Sequence, residues 1–255
     1  MIDWPALDDA YGPARAIPGL LERAVDRDRE AIGLLWGRLC HQGTIAPASI
    51  AALPRLAEIA KAEGHGDWAL DLAAAIAGSL LQPHGADEEV ARCAPALAEL
   101  RTTAAARLGP GPDPETYLGR LRAVLAFDGL PLWFETLDDL TDSFISVACP
   151  HCDAPVTIAI GDHGRYSCVR DWNLGDVHRV PLRPAAPQEL TGTGRMLHEL
   201  ALRDGRQQLA QGLTHLFGRA ECPECGSVFG IADEYEAASA PTPWDFARSH
   251  IKDAL

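Results

Sequence analysis

From about Arg15 to about Gly129 apolar residues recur at spacings of three and four, Ala and Leu dominate, and Gly or Pro falls at intervals suited to helix ends. This pattern predicts helices over residues 15–26, 28–41, 47–63, 66–82, 88–107 and 113–128. The connections are only a few residues long, so neighbouring helices must fold back antiparallel. From about Asp142 the period shortens to an alternation of β-branched and polar residues, and "SFISVA", "APVTIAI", "DVHRVPL" and "SVFGIA" read as short strands. Between "LTGTG" and Gly218 the helical period returns through Met196, Leu197, Leu200, Leu202, Leu209, Leu213, Leu216 and Phe217, with a division into two helices near Asp204 and Gly205. The closing "SAPTPWDFARSHIKDAL" predicts a loop and a short terminal helix docked through Trp244 and Phe246. The expected organisation is a helical domain over 1–140, a second domain over 141–235, and a tail over 236–255.

Within the helical half one phrase returns: "AIPGLL" at Ala16, "ALPRLA" at Ala52 and "CAPALA" at Cys93, with prolines at 18, 54 and 95 and periods of 36 and 41. Proline suits the first turn of a helix, where its missing N–H costs nothing, and the Leu two residues on begins a buried stripe. Each phrase leads into a second amphipathic, Ala-rich helix, and a repeated helix pair of this length is the sequence mark of an α-solenoid. The pattern resembles HEAT repeats, with three units at about 16–42, 52–82 and 93–128, and the opening through "LCHQGTI" is similar to bacterial HEAT-like proteins. The second helices lack the usual Val-Arg pair, and "GPGPDP" at Gly109–Pro114 interrupts the third unit. The resemblance implies an interaction scaffold and no particular chemistry.

The chain has 255 residues, enough to bury a core without disulfides, and no apolar run reaches the ~18 residues that would span a membrane. The opening "MIDWPALDDAYGP" has no basic start and no apolar centre, so a cytoplasmic location is expected. Thirty-six acidic against twenty-two basic residues give a formal charge of −14, which repels phosphate backbones and favours solubility or a basic protein partner.

Seven cysteines, an odd number, argue for thiolate ligands in a reducing compartment over a disulfide framework. "CPHCD" at Cys149–Asp153 and "CPECG" at Cys222–Gly226 write the same small turn twice, with 69 positions between Cys152 and Cys222. In each, two sulfurs three residues apart reach one side of a tight turn, and the proline fixes φ within it. Gly226, and less ideally Asp153, follows at a position that often takes a left-handed conformation. Cys149, Cys152, Cys222 and Cys225 are therefore the expected ligands of one structural Zn²⁺, and the site resembles a zinc ribbon. Compact ribbons place their pairs closer together, so residues 153–221 must hold ribbon strands and a helical insertion. His151, His163 and Cys168 rank below these four as ligands, and a thioredoxin-like dithiol would leave the second pair unexplained. A Cys₄ site has no open coordination position for water, so its expected role is stability.

The expected fold class is thus mostly α, a HEAT-like α-solenoid of about three helix pairs plus a small α+β zinc-ribbon module. Other candidates have bland readings. "HQGT" at His41–Thr44 is a helix C-terminal turn through Gly43, Trp36, Trp68 and Trp133 are packing residues, and Cys40 and Cys93 are buried thiols. "GTGR" lacks the Lys-Ser/Thr ending of a phosphate loop, and "DEEVARC" at Asp87 is an acidic first turn. Asp171, His178 and Arg179 gather acid-base groups without a nucleophile motif. The function expected is a non-enzymatic adaptor that binds a protein partner, with no membrane and no small-molecule substrate. Two alternatives are a nucleic-acid-associated ribbon using Arg165, Arg170, Arg179 and Arg183, and an immunity or inhibitor-type protein.

Overall fold

A computed structural model describes residues 2–62, 67–80, 87–137, 142–161, 164–169 and 178–239. They form two compact units, one built from residues up to Leu108 and Pro112–Glu135, the other from Gly109–Gly111 and the chain from Thr136 onward. Among the described residues there are ten α-helices and eight short strands.

The first unit opens with a minimal antiparallel ribbon, β1 (Asp8–Asp9) and β2 (Gly12–Pro13). It continues as α1 (Ile17–Val25), α2 (Arg29–Leu39), α3 (Pro47–Lys61), α4 (Asp67–Leu80), α5 (Asp87–Ala106), α6 (Pro114–Phe127) and α7 (Pro131–Thr136). Side-chain caps set two of these starts: Asp28 accepts from the amides of Glu30 and Ala31 at α2, and Asp113 from that of Thr116 at α6. Helices pair within hairpins, α1 with α2, α3 with α4 and α5 with α6. Between hairpins the first helices pack on one another, α1 on α3 and α3 on α5, and the second helices do likewise, α2 on α4 and α4 on α6. A continuous core of Leu, Ile and Ala fills the space, including Leu35, Leu53, Leu70, Ile76 and Leu100.

Leu20, Leu56 and Leu97, the leucines of the recurring phrase, are all buried. Their prolines differ in position. Pro18 lies in the first turn of α1, but Pro54 and Pro95 stand inside α3 and α5, which begin at Pro47 and Asp87. The first-turn reading fails at these two because the residues upstream already carry the helical period, and tertiary packing tolerates a missing N–H. Helix α2 ends at Leu39, earlier than the pattern predicts. His41 and Thr44 then pair with each other across Gln42 (φ 51°) and Gly43 (φ 76°), a two-residue turn with both centres left-handed. Gly43 is thus the tip of a turn in place of a helix terminus.

In the second unit β3 (Asp142–Ala148), β4 (Pro155–Gly161), β5 (Gly164–Cys168) and β6 (Val180–Pro181) form an antiparallel sheet in that order. Register places Phe144, Ala159 and Tyr166 side by side on one face, while Ile145 pairs with Ile158 on the other. Two helices follow, α8 (Gly192–Arg203) and α9 (Gln207–Leu216), divided at Asp204–Arg206 where Gly205 takes φ 72°. Then β7 (Arg219–Glu221) and β8 (Val228–Gly230) make a second hairpin, and α10 (Ile231–Ser239) packs on β3. The strand expected through "SVFGIA" stops at Gly230, and Ile231 starts the helix. β5 and β7 carry too few alternating residues to be predicted. The terminal helix expected through Trp244 and Phe246 lies outside the described residues.

Candidate metal centre

Each Cys pair sits at the tip of a β-hairpin, Cys149 and Cys152 between β3 and β4, Cys222 and Cys225 between β7 and β8. The two tips are built alike. Cys149 donates its amide to Ala154 O (2.9 Å) and accepts from Asp153 N (2.9 Å), while Cys222 donates to Ser227 O (2.9 Å) and accepts from Gly226 N (2.8 Å). The residue after each second cysteine is left-handed, Asp153 at φ 60° and Gly226 at φ 73°. The φ sign expected from the sequence is present at both.

All four sulfurs lie within 4.8 Å of one another. Cys149 Sγ is 3.7 Å from Cys225 Sγ and Cys152 Sγ is 3.8 Å from Cys222 Sγ. A tetrahedron with metal–sulfur bonds of ~2.3 Å has edges of ~3.8 Å, so the spacing suits four thiolates around a single ion such as zinc. Covalent pairing would need sulfurs near ~2.05 Å. The sulfurs also influence one another's titration. Ser227, by its hydroxyl and its amide, holds the Cys225 thiol down to about 6. At Cys152 the Ala154 amide pulls the same way, but partial removal from water and the neighbouring sulfurs outweigh it and push the thiol up to about 12. Four negative charges this close ionise together only with a positive charge among them.

Burial divides the cluster: Cys149 and Cys222 are buried, Cys152 and Cys225 exposed. His151 is exposed at the knuckle and is not part of the group, and neither is Cys168, which is fully buried in β5. His163, Arg170 and Asp171 lie outside the described residues. The second hairpin is tied to the sheet beside the cluster. Arg183 and Arg219 exchange two backbone hydrogen bonds (2.9 and 2.8 Å), and buried Ser167 donates its hydroxyl to Glu221 O (2.7 Å). Sequence reasoning missed Ser227 and Ser167. Ser227 had a signal, since it occupies the place in the second knuckle that Ala154 has in the first, whereas Ser167 had none.

The other candidates resolve into packing and surface. Trp133 is buried, Trp36 and Trp68 are half-buried against the helical core, and Cys93 is buried with Cys40 partly so. The glycines of "GTGR" fall in the first turn of α8, where a Cβ on Gly194 would stand 2.6 Å from the Phe217 ring. The role of Gly194 is close packing, whereas Gly192 has open space around it and takes φ 48°. Of the arginines weighed for nucleic acid, Arg165 donates to Gln211, Arg179 lies over the Tyr166 ring and Arg183 pairs with Glu221. No helix among the described residues is long and apolar enough to cross a membrane. Compared with known proteins, the chain matches no family model, no curated protein and no solved structure.

Proposed function

We propose that the chain is a non-enzymatic docking scaffold, a short HEAT-like stack of helix hairpins carried with a zinc-ribbon module whose ion is structural. The observation that carries this reading is the packing order of the first unit, first helices on first helices and second on second. That order generates two extended faces, the property by which helical repeats bind other proteins. The faces differ in character. On the first-helix side ion pairs cross between neighbours, Arg55 with Glu22 and Lys61 with Glu99. On the second-helix side α2 presents Leu34, 43% exposed, one turn from Gly37 and Arg38, with Tyr11, 64% exposed, beside them. Tyrosine and arginine are residue types enriched at the centres of protein interfaces, and here Arg38, paired to buried Asp9, lies over the Tyr11 ring while Leu34 adds apolar surface on the same helix. The zinc reading is supported by the sulfur tetrahedron and by the absence of any open ligand position in a Cys₄ set.

The test is affinity capture by the full chain from its native host, comparing wild type with Leu34→Asp combined with Tyr11→Ala, and with Lys61→Glu as a control on the other face. The expected result is a partner retained by wild type and control and lost by the double variant. A partner set indifferent to the double variant, or binding to nucleic acid at low ionic strength, overturns the reading.

A further inference from the structure

We propose that hydroperoxides convert the four-cysteine centre into two disulfides joining opposite hairpin tips, Cys149 to Cys225 and Cys152 to Cys222, so that the clasp gives up its ion and stays closed. This goes beyond the docking reading and stands without it.

Three observations support it. Each tip offers one exposed cysteine, Cys152 on the first and Cys225 on the second, so each side of the cluster has a residue open to solvent. The sulfur contacts at 3.7 and 3.8 Å both run between tips, and each joins an exposed cysteine to a buried one. The strand that leads into Cys222 is also anchored independently of the sulfurs, by the Arg183–Arg219 backbone pair and by the Ser167 hydroxyl on Glu221 O. Within each tip the backbone bonds of the turn hold the first cysteine, Cys149 or Cys222, in place.

In the first step an exposed thiolate, Cys225 for example, attacks the outer peroxide oxygen. The O–O bond breaks, the sulfur becomes a sulfenic acid, and the released alkoxide or hydroxide takes a proton. The Cys149 thiolate then attacks that sulfur, hydroxide leaves and is protonated to water, and the S–S bond forms. Two electrons pass from the sulfur pair to the peroxide. Having lost two ligands, Zn²⁺ departs, and Cys152 and Cys222 repeat the sequence with a second peroxide.

Full-length protein, zinc-loaded and zinc-stripped, is treated with hydrogen peroxide. Released zinc is read with a chromogenic chelator, linkages by mass spectrometry of unreduced proteolytic fragments, and thermal stability by melting. Zinc release is expected together with Cys149–Cys225 and Cys152–Cys222 peptides in both samples, and with a melting temperature no lower than that of stripped, reduced protein. A chain carrying Cys149→Ser and Cys225→Ser is expected to form the Cys152–Cys222 bond alone. Disulfides within a tip, a bond to Cys168, or zinc release without any disulfide would overturn the proposal.

Discussion

Asp153 and Gly226 hold the same place in the two knuckles, and only one is a glycine. An L-residue at φ 60° is strained, less for Asp than for most, so Asp153→Gly is expected to stabilise the second unit by ~0.5–1 kcal/mol, read as a higher melting temperature of the zinc-loaded chain. Gly226→Ala should do the reverse at a cost of ~1 kcal/mol, and since nothing lies within 4 Å of the added methyl, that cost is the backbone's alone. His215, buried in α9 with Nδ1 2.9 Å from Gln211 O, is held below the ordinary imidazole value first by burial and then by Arg165. Its neutral form is therefore the one the fold prefers. That preference contributes full stability above the ordinary histidine value of ~6.5 and is lost as pH falls through the lower folded value. Zinc-loaded His215→Gln is expected to lose less stability than wild type between pH 7 and 5, and equal slopes would discard the assignment.

Elements were legible in the sequence where one period ran unbroken. The helices expected at 28–41 and 113–128 begin within one residue of α2 and α6, because Asp28 and Asp113 are caps that a sequence states outright. The division near Gly205 was legible for the same reason, a glycine at a left-handed corner. What stayed hidden depends on partners distant in the chain. Ser49 reads as an ordinary polar residue of α3, yet it is fully buried, accepting from Ala46 N (3.0 Å) and donating to Leu39 O (2.6 Å) across the α2–α3 junction. Ser49→Ala strands that carbonyl and is expected to cost ~1–3 kcal/mol by chemical denaturation. Gly194, in a stretch that looks superficially like a phosphate loop, makes room for an aromatic ring. Gly194→Ala is expected to cost ~1–3 kcal/mol through overpacking against Phe217, with relief in a Gly194→Ala, Phe217→Leu pair.

At the scale of the molecule, the helical core of the first unit draws on residues between Ala14 and Phe127 and includes none of the four clustered cysteines. A strong chelator is therefore expected to lower the unfolding transition of the second unit and leave that of the first in place, as followed by calorimetry with zinc added back. A structural Cys₄ ion contributes on the order of 10 kcal/mol, comparable to the stability of a whole domain. Metal analysis should find one zinc per chain. The cluster itself was readable from two copies of one turn, because the chemistry of a thiolate pair is local to five residues. Of the path between the copies, β4, β6 and the two helices were legible from their own periods, while β5 and β7 and the pairing order of the sheet were not, because register depends on partners distant in the chain.

That path has a consequence for biosynthesis. Sixty-nine positions lie between Cys152 and Cys222, so at ~5–20 residues per second the second tip is made several seconds after the first. During that interval the nascent chain exposes a lone dithiol turn on a finished β3–β4 hairpin, able to hold an ion only weakly. A four-sulfur site is therefore complete only after the second tip has been made, and α10, which packs on β3, follows it in the chain.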